Sequence, residues 1–120
     1  MSIITTNHDT HAPIPAITDE TFEAEVIQSQ VPVLVAFSAE WCAPCRLMHS
    51  VLSELAVALR DQLRIVTVDV DQDPVHAGQL GVRGMPTLFL FHDGKSLAQK
   101  AGAAPKAVVR RWIEDTIGKA

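Results

Sequence analysis

The two cysteines of this chain, Cys42 and Cys45, lie close together between two segments of opposite character. The segment before them, residues 32–37, is wholly apolar and rich in β-branched residues, which predicts a strand buried on both faces. The segment after them repeats apolar residues at helical spacing as far as Asp61, which predicts a helix. Cys42 is therefore expected at the N-terminal end of a helix, where unpaired N–H groups and the helix dipole favour a thiolate. This placement indicates that Cys42 is the reactive sulfur of the pair.

A Cys-x-x-Cys pair also has uses other than redox chemistry. A structural disulfide is disfavoured, because so short a loop gains little from closure and the chain has no other cysteines. A zinc or iron–sulfur site needs two further ligands. The histidines are scattered and do not complete such a site: His8, His11, His49, His76 and His92. A redox pair without a resident metal is the favoured interpretation, and a metal carrier that uses both cysteines at a dimer interface remains as an alternative.

Two other groups of polar side chains receive no functional role. His49 follows Cys45 by one helical turn on the same predicted face, where it could act as a local acid–base group. A surface histidine is the interpretation that this position favours. The alternating run Asp69, Asp71 and Asp73 resembles calcium ligands, but the glycine and terminal glutamate of a calcium loop do not follow.

Length and charge limit the classes of protein to which this chain can belong. The chain has 120 residues, enough for one domain with a core of its own, and a formal net charge of −4. The negative charge argues against nucleic acid as a partner, and no apolar run approaches the ~20 residues that span a bilayer. Residues 1–12 are polar and aperiodic, which predicts a flexible arm before a single domain at 13–120. The start lacks the basic and apolar regions of a signal peptide. Because the only two cysteines form one redox-type motif, a cytoplasmic protein is expected.

The order of predicted elements indicates an α/β protein. Strands and helices are expected at residues 13–17 (edge strand), 18–28 (helix), 32–37 (strand), 46–61 (helix), 64–71 (strand), 74–81 (helix), 87–91 (strand), 96–101 (edge strand) and 105–118 (helix). Thr18 or Asp19 can cap the first helix, and Asp73 can cap the helix that Pro74 opens. The two interior strands joined by the long helix form a parallel βαβ unit.

Three separated segments resemble the thioredoxin family. Residues 39–45 match its active-site run except at Ala43, where the family has glycine. Residues 82–87 match its cis-proline loop, and Gly102 matches a glycine beside its substrate groove. The resemblance covers nearly the whole chain from Ile14 onward. It implies the thioredoxin fold, a central mixed five-stranded sheet flanked by helices on both faces, with residues 12–17 and 96–101 at the two edges.

The activity implied by the resemblance is protein-disulfide reduction by thiol–disulfide exchange. Cys42 attacks a disulfide of a client protein to form a mixed disulfide, and Cys45 then releases the reduced client. The redox-active Cys42–Cys45 disulfide is the only redox group required, so no cofactor is expected. The implied partners are disulfide-containing clients and a flavoprotein of the thioredoxin-reductase type, and the protein is expected to be a monomer.

The same resemblance assigns residues that support the site and bind clients. Trp41 shapes the client-binding surface, and Pro44 starts the helix without an N–H to satisfy. Pro86 is expected to follow a cis peptide bond, which leaves the backbone of Met85 free to pair with an extended client segment. Gly84 and Gly102 would allow that segment to approach closely; the implied client-binding set is thus Trp41, Gly84, Met85, Pro86 and Gly102.

The chain departs from the family around the second cysteine. Ala36 stands where most thioredoxins have a buried aspartate, Thr67 where they have a lysine, and Ser38 where they have a tryptophan. The aspartate is held to take the proton of the second cysteine, so we expect slower turnover or a narrower set of clients. These losses also leave a second interpretation open, a binding or assembly module of the same fold with weak redox activity.

Overall fold

The computed structural model describes residues 11–119, so the predicted arm lies almost wholly outside the described part of the chain. Within that part, one turn of π-helix, Glu23–Ile27, comes before four strands and three α-helices. In chain order they are β1 (Val33–Ser38), α1 (Ala43–Ala58), β2 (Arg64–Asp69), α2 (Pro74–Gln79), β3 (Thr87–His92), β4 (Lys95–Ala101) and α3 (Lys106–Lys119). None of the described helices is both long enough and apolar enough to cross a bilayer.

The four strands form one mixed sheet in the order β2-β1-β3-β4. Strand β1 runs parallel to β2 and antiparallel to β3, and β3 runs antiparallel to β4. Because β1 and β3 run in opposite directions, the end of β1 pairs with the start of β3, where Phe37 lies opposite Thr87. The topology therefore brings the segment after β1, which carries both cysteines, to the same edge as the loop before β3.

The prediction of a fifth strand is wrong. The segment expected at the edge makes one isolated parallel bridge, between Ala16 and Thr67. Ile17 N–H donates to the Thr67 carbonyl and Thr67 N–H donates to the Pro15 carbonyl, both at 2.9 Å. Proline has no N–H, so Pro13 and Pro15 cannot donate to a ladder and pairing stops after this bridge.

Both faces of the sheet are covered, as predicted. Leu34 and Ala36 of β1 join the buried cluster that contains α1 and α3 side chains. Phe37 and its neighbours on the other face of β1 join a second cluster. That second cluster includes Val26 of the π-helical turn and Phe22, which precedes the turn. Burial on both sides explains why β1 is apolar at successive positions rather than alternating.

The first predicted helix is present as the shorter π-helical turn Glu23–Ile27, and Asp19 does not cap it. The Asp19 carboxylate instead accepts hydrogen bonds from the N–H groups of Val75 (3.1 Å) and His76 (3.3 Å) at the start of α2. Its Oδ1 also lies 3.1 Å from His76 Nδ1, and the His76 ring stacks on Phe22 at 4.1 Å between centroids. Asp73, at the N-cap position of α2, accepts from Asp19 N–H and makes no capping bond of its own. A distant loop thus fastens α2 to the rest of the fold.

This arrangement predicts an acid-dependent loss of stability. Burial alone would raise the pKa of Asp19, but the hydrogen bonds from the His76 side chain and from the Val75 and His76 N–H groups hold that pKa below its usual value. A carboxyl whose pKa is lower when folded stabilises the protein above its unfolded pKa of about 3.9. That stability is lost as the pH falls through the folded pKa. Asp19→Asn should therefore lower the free energy of unfolding at pH 7 and flatten its decline below about pH 4.

Urea unfolding of the wild type and Asp19→Asn, followed across pH 3 to 7, measures this effect. Asp115→Asn, an exposed substitution on α3, is the matched control and should leave the wild-type profile unchanged. Equal pH dependence in all three proteins would contradict the role given to Asp19.

Candidate active site

Cys42 is the N-cap residue of α1. Its backbone is extended (φ −93°, ψ 108°), and its sulfur accepts a hydrogen bond from Cys45 N–H at 3.2 Å. Pro44 lies in the first turn, where its missing N–H leaves no donor unsatisfied. The two cysteines form a disulfide with 5.3 Å between their Cα atoms. The sequence placed Cys42 at this helix end, and the structure confirms that position.

The helix end at the Cys42 sulfur favours negative charge. It lies at the positive end of a helix of 16 residues, and the first turn of that helix carries no acidic side chain. The Cys42 Sγ is 3.7 Å from the Met85 carbonyl oxygen, to which the reduced thiol can donate. Both cysteines are almost fully buried, at 4% exposure for Cys42 and 6% for Cys45. A disulfide partner must therefore approach along the surface formed by the neighbouring residues.

Trp41 lies on that surface and not in the core. Its side chain is 67% exposed. The indole Nε1–H donates to Asp71 Oδ2 at 2.8 Å, and Asp69 Oδ1 in turn accepts from Asp71 N–H at 2.9 Å. Asp71 was missed by the sequence analysis, which considered this aspartate only as a calcium ligand. The available signal was their position, because they follow a strand parallel to β1 and therefore reach the edge where the cysteines lie.

The loop before β3 borders the cysteines on their other side. Its Met85-Pro86 peptide is cis, as the resemblance implied. Two hydrogen bonds hold the loop, from Thr87 Oγ1 to the Gly84 carbonyl (2.6 Å) and from Gly102 N–H to the Pro86 carbonyl (2.8 Å). The loop and the end of β4 line a groove of about 340 Å³. A Cβ added at Gly84 or Gly102 would meet no other atom within 4 Å, and the φ of +85° at Gly102 favours glycine.

Hydroxyl groups occupy the region behind Cys45 where the resembled family has charged side chains. Thr67 Oγ1 donates to the Ala36 carbonyl at 3.1 Å, and the hydroxyls of Ser38 and Thr67 are 3.2 Å apart. Ala36 is 5% exposed. The pairing of β1 with β2 sets Ala36 directly opposite Thr67. The two positions at which the family has aspartate and lysine are therefore neighbours in the sheet.

The described histidines do not gather around the cysteine pair, and His8 lies outside the described residues. His76 pairs with Asp19 at 3.1 Å, while His11 and His92 lie 3.8 Å from Glu54 and Asp93. Over residues 11–119, no three or more His, Cys, Asp or Glu side chains are grouped so that they could hold a metal ion. Only His49 shares the surroundings of Cys45, since both line the same cavity.

Comparison with known proteins gives one consistent family. The family model described as Thioredoxin matches residues 13–115. Thioredoxin 1 of Synechococcus elongatus is 42% identical over 99 residues, which cover 82% of this chain and 92% of the relative. The thioredoxin of Rhodospirillum rubrum is 41% identical over 84% of this chain and 97% of its own length. The chloroplastic M-type thioredoxin of Chlamydomonas reinhardtii is 40% identical over 82% and 71%.

Proposed function

Because the chain belongs to the thioredoxin family and is a thioredoxin-like protein-disulfide reductase, we propose that Cys42 is its attacking sulfur and Cys45 its resolving sulfur. The observation that carries this assignment is the position of Cys42 Sγ as the N-cap of α1. A thiolate there is stabilised by the helix dipole and by Cys45 N–H, which donates to it at 3.2 Å. Cys45 lies one turn further along the helix and has no such placement.

The proposed reaction has two exchange steps. In the first, the Cys42 thiolate attacks one sulfur of the client disulfide, the client S–S bond breaks, and the other client sulfur leaves as a thiolate. In the second, Cys45 loses its proton and attacks Cys42, which forms the Cys42–Cys45 disulfide and releases the remaining client sulfur. The client gains two electrons and the dithiol loses two. We propose no cofactor beyond this dithiol.

Client binding is proposed along the groove beside Pro86. The Met85 backbone would pair with an extended client segment, with Trp41 on one side of the sulfurs and Gly84 and Gly102 lining the approach. The exposure of Trp41 and the open space in front of both glycines support this proposal. A client held in this way would present its disulfide to Cys42 without any movement of the sheet.

Gly84→Ala tests the groove. We expect the KM for a protein client to rise about fivefold, because the added methyl group hinders the close approach of the client segment. This is equivalent to the loss of one main-chain hydrogen bond, about 1 kcal/mol. Stability should be unchanged, because the added Cβ meets no atom within 4 Å. Reduction of the small disulfide 5,5′-dithiobis(2-nitrobenzoate) should also be unchanged. Gly78→Ala, on α2 with equally open surroundings, is the control; an equal KM for both variants would place client binding elsewhere.

The finer biological assignments are also proposals. We propose a monomer with a single domain at residues 13–120; the predicted arm at residues 1–12 lies almost wholly outside the described residues. The protein would be oxidised by client proteins and reduced again by a flavoprotein reductase. The cytoplasm is the proposed compartment, since the chain's only cysteines form one redox motif. A family member named chloroplastic shows that cytoplasmic location is not a property of all relatives.

Insulin reduction with dithiothreitol as electron donor tests the proposed catalysis by the cysteine pair. We expect turnover well above that of Cys42→Ser, though below that of a thioredoxin with the buried aspartate. Turnover no greater than that of Cys42→Ser would favour the binding-module alternative. Metal analysis of freshly purified protein tests the alternative function as a metal carrier. A metal carrier would contain metal in proportion to the number of cysteine pairs.

A further inference from the structure

The second step of the exchange requires a proton acceptor for Cys45. This thiol is 6% exposed, so bulk water has little access to it. Only the thiolate attacks a disulfide, and the proton must therefore leave while the client still covers the site. Ala36 cannot accept a proton, and the hydroxyls of Ser38 and Thr67 are not bases at neutral pH.

A small cavity adjoins Cys45, and Pro86 lines both this cavity and the client groove. Its volume of about 20 Å³ is enough for one water molecule. Most of its wall is apolar, and the residues with polar side chains that line it are Ser38, Thr67 and His49. Among the described residues that line it, His49 is the only titratable one apart from Cys45 itself.

His49 also reaches solvent. A more open cleft of about 250 Å³ shares Ser38, Cys45, His49 and Thr67 with the cavity, and His49 is exposed. His49 therefore borders both the cavity at the buried Cys45 and the open cleft. Within the described residues its ring forms no hydrogen bond that would hold it away from the cavity.

The charged groups around this cleft are of both signs. They are Glu40 from the loop before α1, Arg46 on α1 and Asp69 at the end of β2. Arg46 Nη1 donates to the Glu40 carbonyl at 2.8 Å, while Asp69 accepts from the Asp71 and Gln72 N–H groups. A proton gained by His49 is thus not opposed by a net positive environment.

We propose that His49 accepts the Cys45 proton through one water in this cavity during release of the client. The thiol proton passes to the water, and a water proton passes to the neutral imidazole. The Cys45 thiolate attacks Cys42 Sγ, the Cys42–client S–S bond breaks, and the client thiolate leaves. His49 then loses its proton to solvent through the cleft. The inference rests on the proposed roles of the two cysteines.

Stopped-flow reaction of the reduced protein with excess 5,5′-dithiobis(2-nitrobenzoate) separates the steps. The first phase, attack by Cys42, depends on reagent concentration, and the second, attack by Cys45, does not. We expect His49→Gln to slow the second phase about 10- to 100-fold at pH 7.5 and leave the first unchanged. The wild-type second phase should rise with pH across the histidine range, about pH 5 to 8, and His49→Gln should lose that rise. Added imidazole should restore the second phase of His49→Ala.

His92→Gln is the matched control. His92 lies at the end of β3 far from the cysteines, so both phases of this variant should match the wild type. A second phase in His49→Gln with the wild-type rate and pH profile would overturn the proposal. So would a slower phase that keeps the wild-type pH dependence, since that indicates a structural effect. Failure of the cysteine assignment would look different, because the first phase itself would then be lost in Cys45→Ser.

Discussion

Cys42→Ser is expected to reduce protein-disulfide reduction to the background of the assay, whereas Cys45→Ser should keep the first attack and accumulate a mixed disulfide with its client. The reason is the unequal placement of the two sulfurs. Cys42 is the N-cap of α1 and accepts the Cys45 N–H, while Cys45 is inside the first turn. A serine hydroxyl at position 42 does not ionise near neutral pH, so the helix dipole has no anion to stabilise.

Intact-mass measurement after incubation with an oxidised client distinguishes the two variants. The Cys45→Ser protein should gain the mass of one client, and dithiothreitol should remove it. Ala43→Ser is a suitable control, because it introduces a hydroxyl between the cysteines at an exposed position and leaves both sulfurs in place. A covalent client on Cys42→Ser together with none on Cys45→Ser would reverse the assigned roles.

The catalytic end of the molecule was predictable because its signals are local. Strand residues 33–38, the Cys-x-x-Cys turn and the proline that opens α1 follow one another directly in the chain. Each is fixed by short-range rules of strand burial, capping and helix initiation. The hairpin turn at Asp93 and Gly94, both with positive φ, is equally local.

What the sequence did not reveal depends on contacts between distant segments. Thr18 or Asp19 was expected to cap the first helix; Thr18 Oγ1 accepts from Thr21 N–H there, whereas Asp19 caps α2, more than 50 residues away in the chain. Local capping rules cannot rank a distant carboxylate above Asp73, which occupies the cap position. Asp71 pairs with Trp41 across the sheet edge, and the cavity that joins His49 to Cys45 exists only when α1 packs on β1 and β2. Pro13 and Pro15 are visible in the sequence, but a fifth strand was predicted there, and the structure has only one isolated bridge.

Ala36 lines the cavity beside Cys45, so a carboxyl group introduced there should change both the rate of the second exchange step and the stability of the protein. Ala36→Asp places a carboxyl group in the space between β1 and α1 that Ser38, Thr67 and His49 line. We expect it to supply a base directly at Cys45, so that the second phase of the reaction becomes faster near neutral pH. In the His49→Gln background it should restore that phase, because the proton no longer has to cross the cavity.

The same substitution should lower the free energy of unfolding by about 2–3 kcal/mol at pH 7, since a carboxyl enters a site that is 5% exposed with no lysine beside it. Desolvation raises the pKa of the new carboxyl above its unfolded value. Both states are then protonated below about pH 3.9, and the loss grows with pH until the folded pKa is passed. Ala36→Asn, of similar size and without charge, should show a loss that does not vary with pH. Denaturant melts at pH 4 and pH 8 measure the difference between the two variants, and an equal difference at both values would mean that the carboxyl ionises freely and is not desolvated by this cavity.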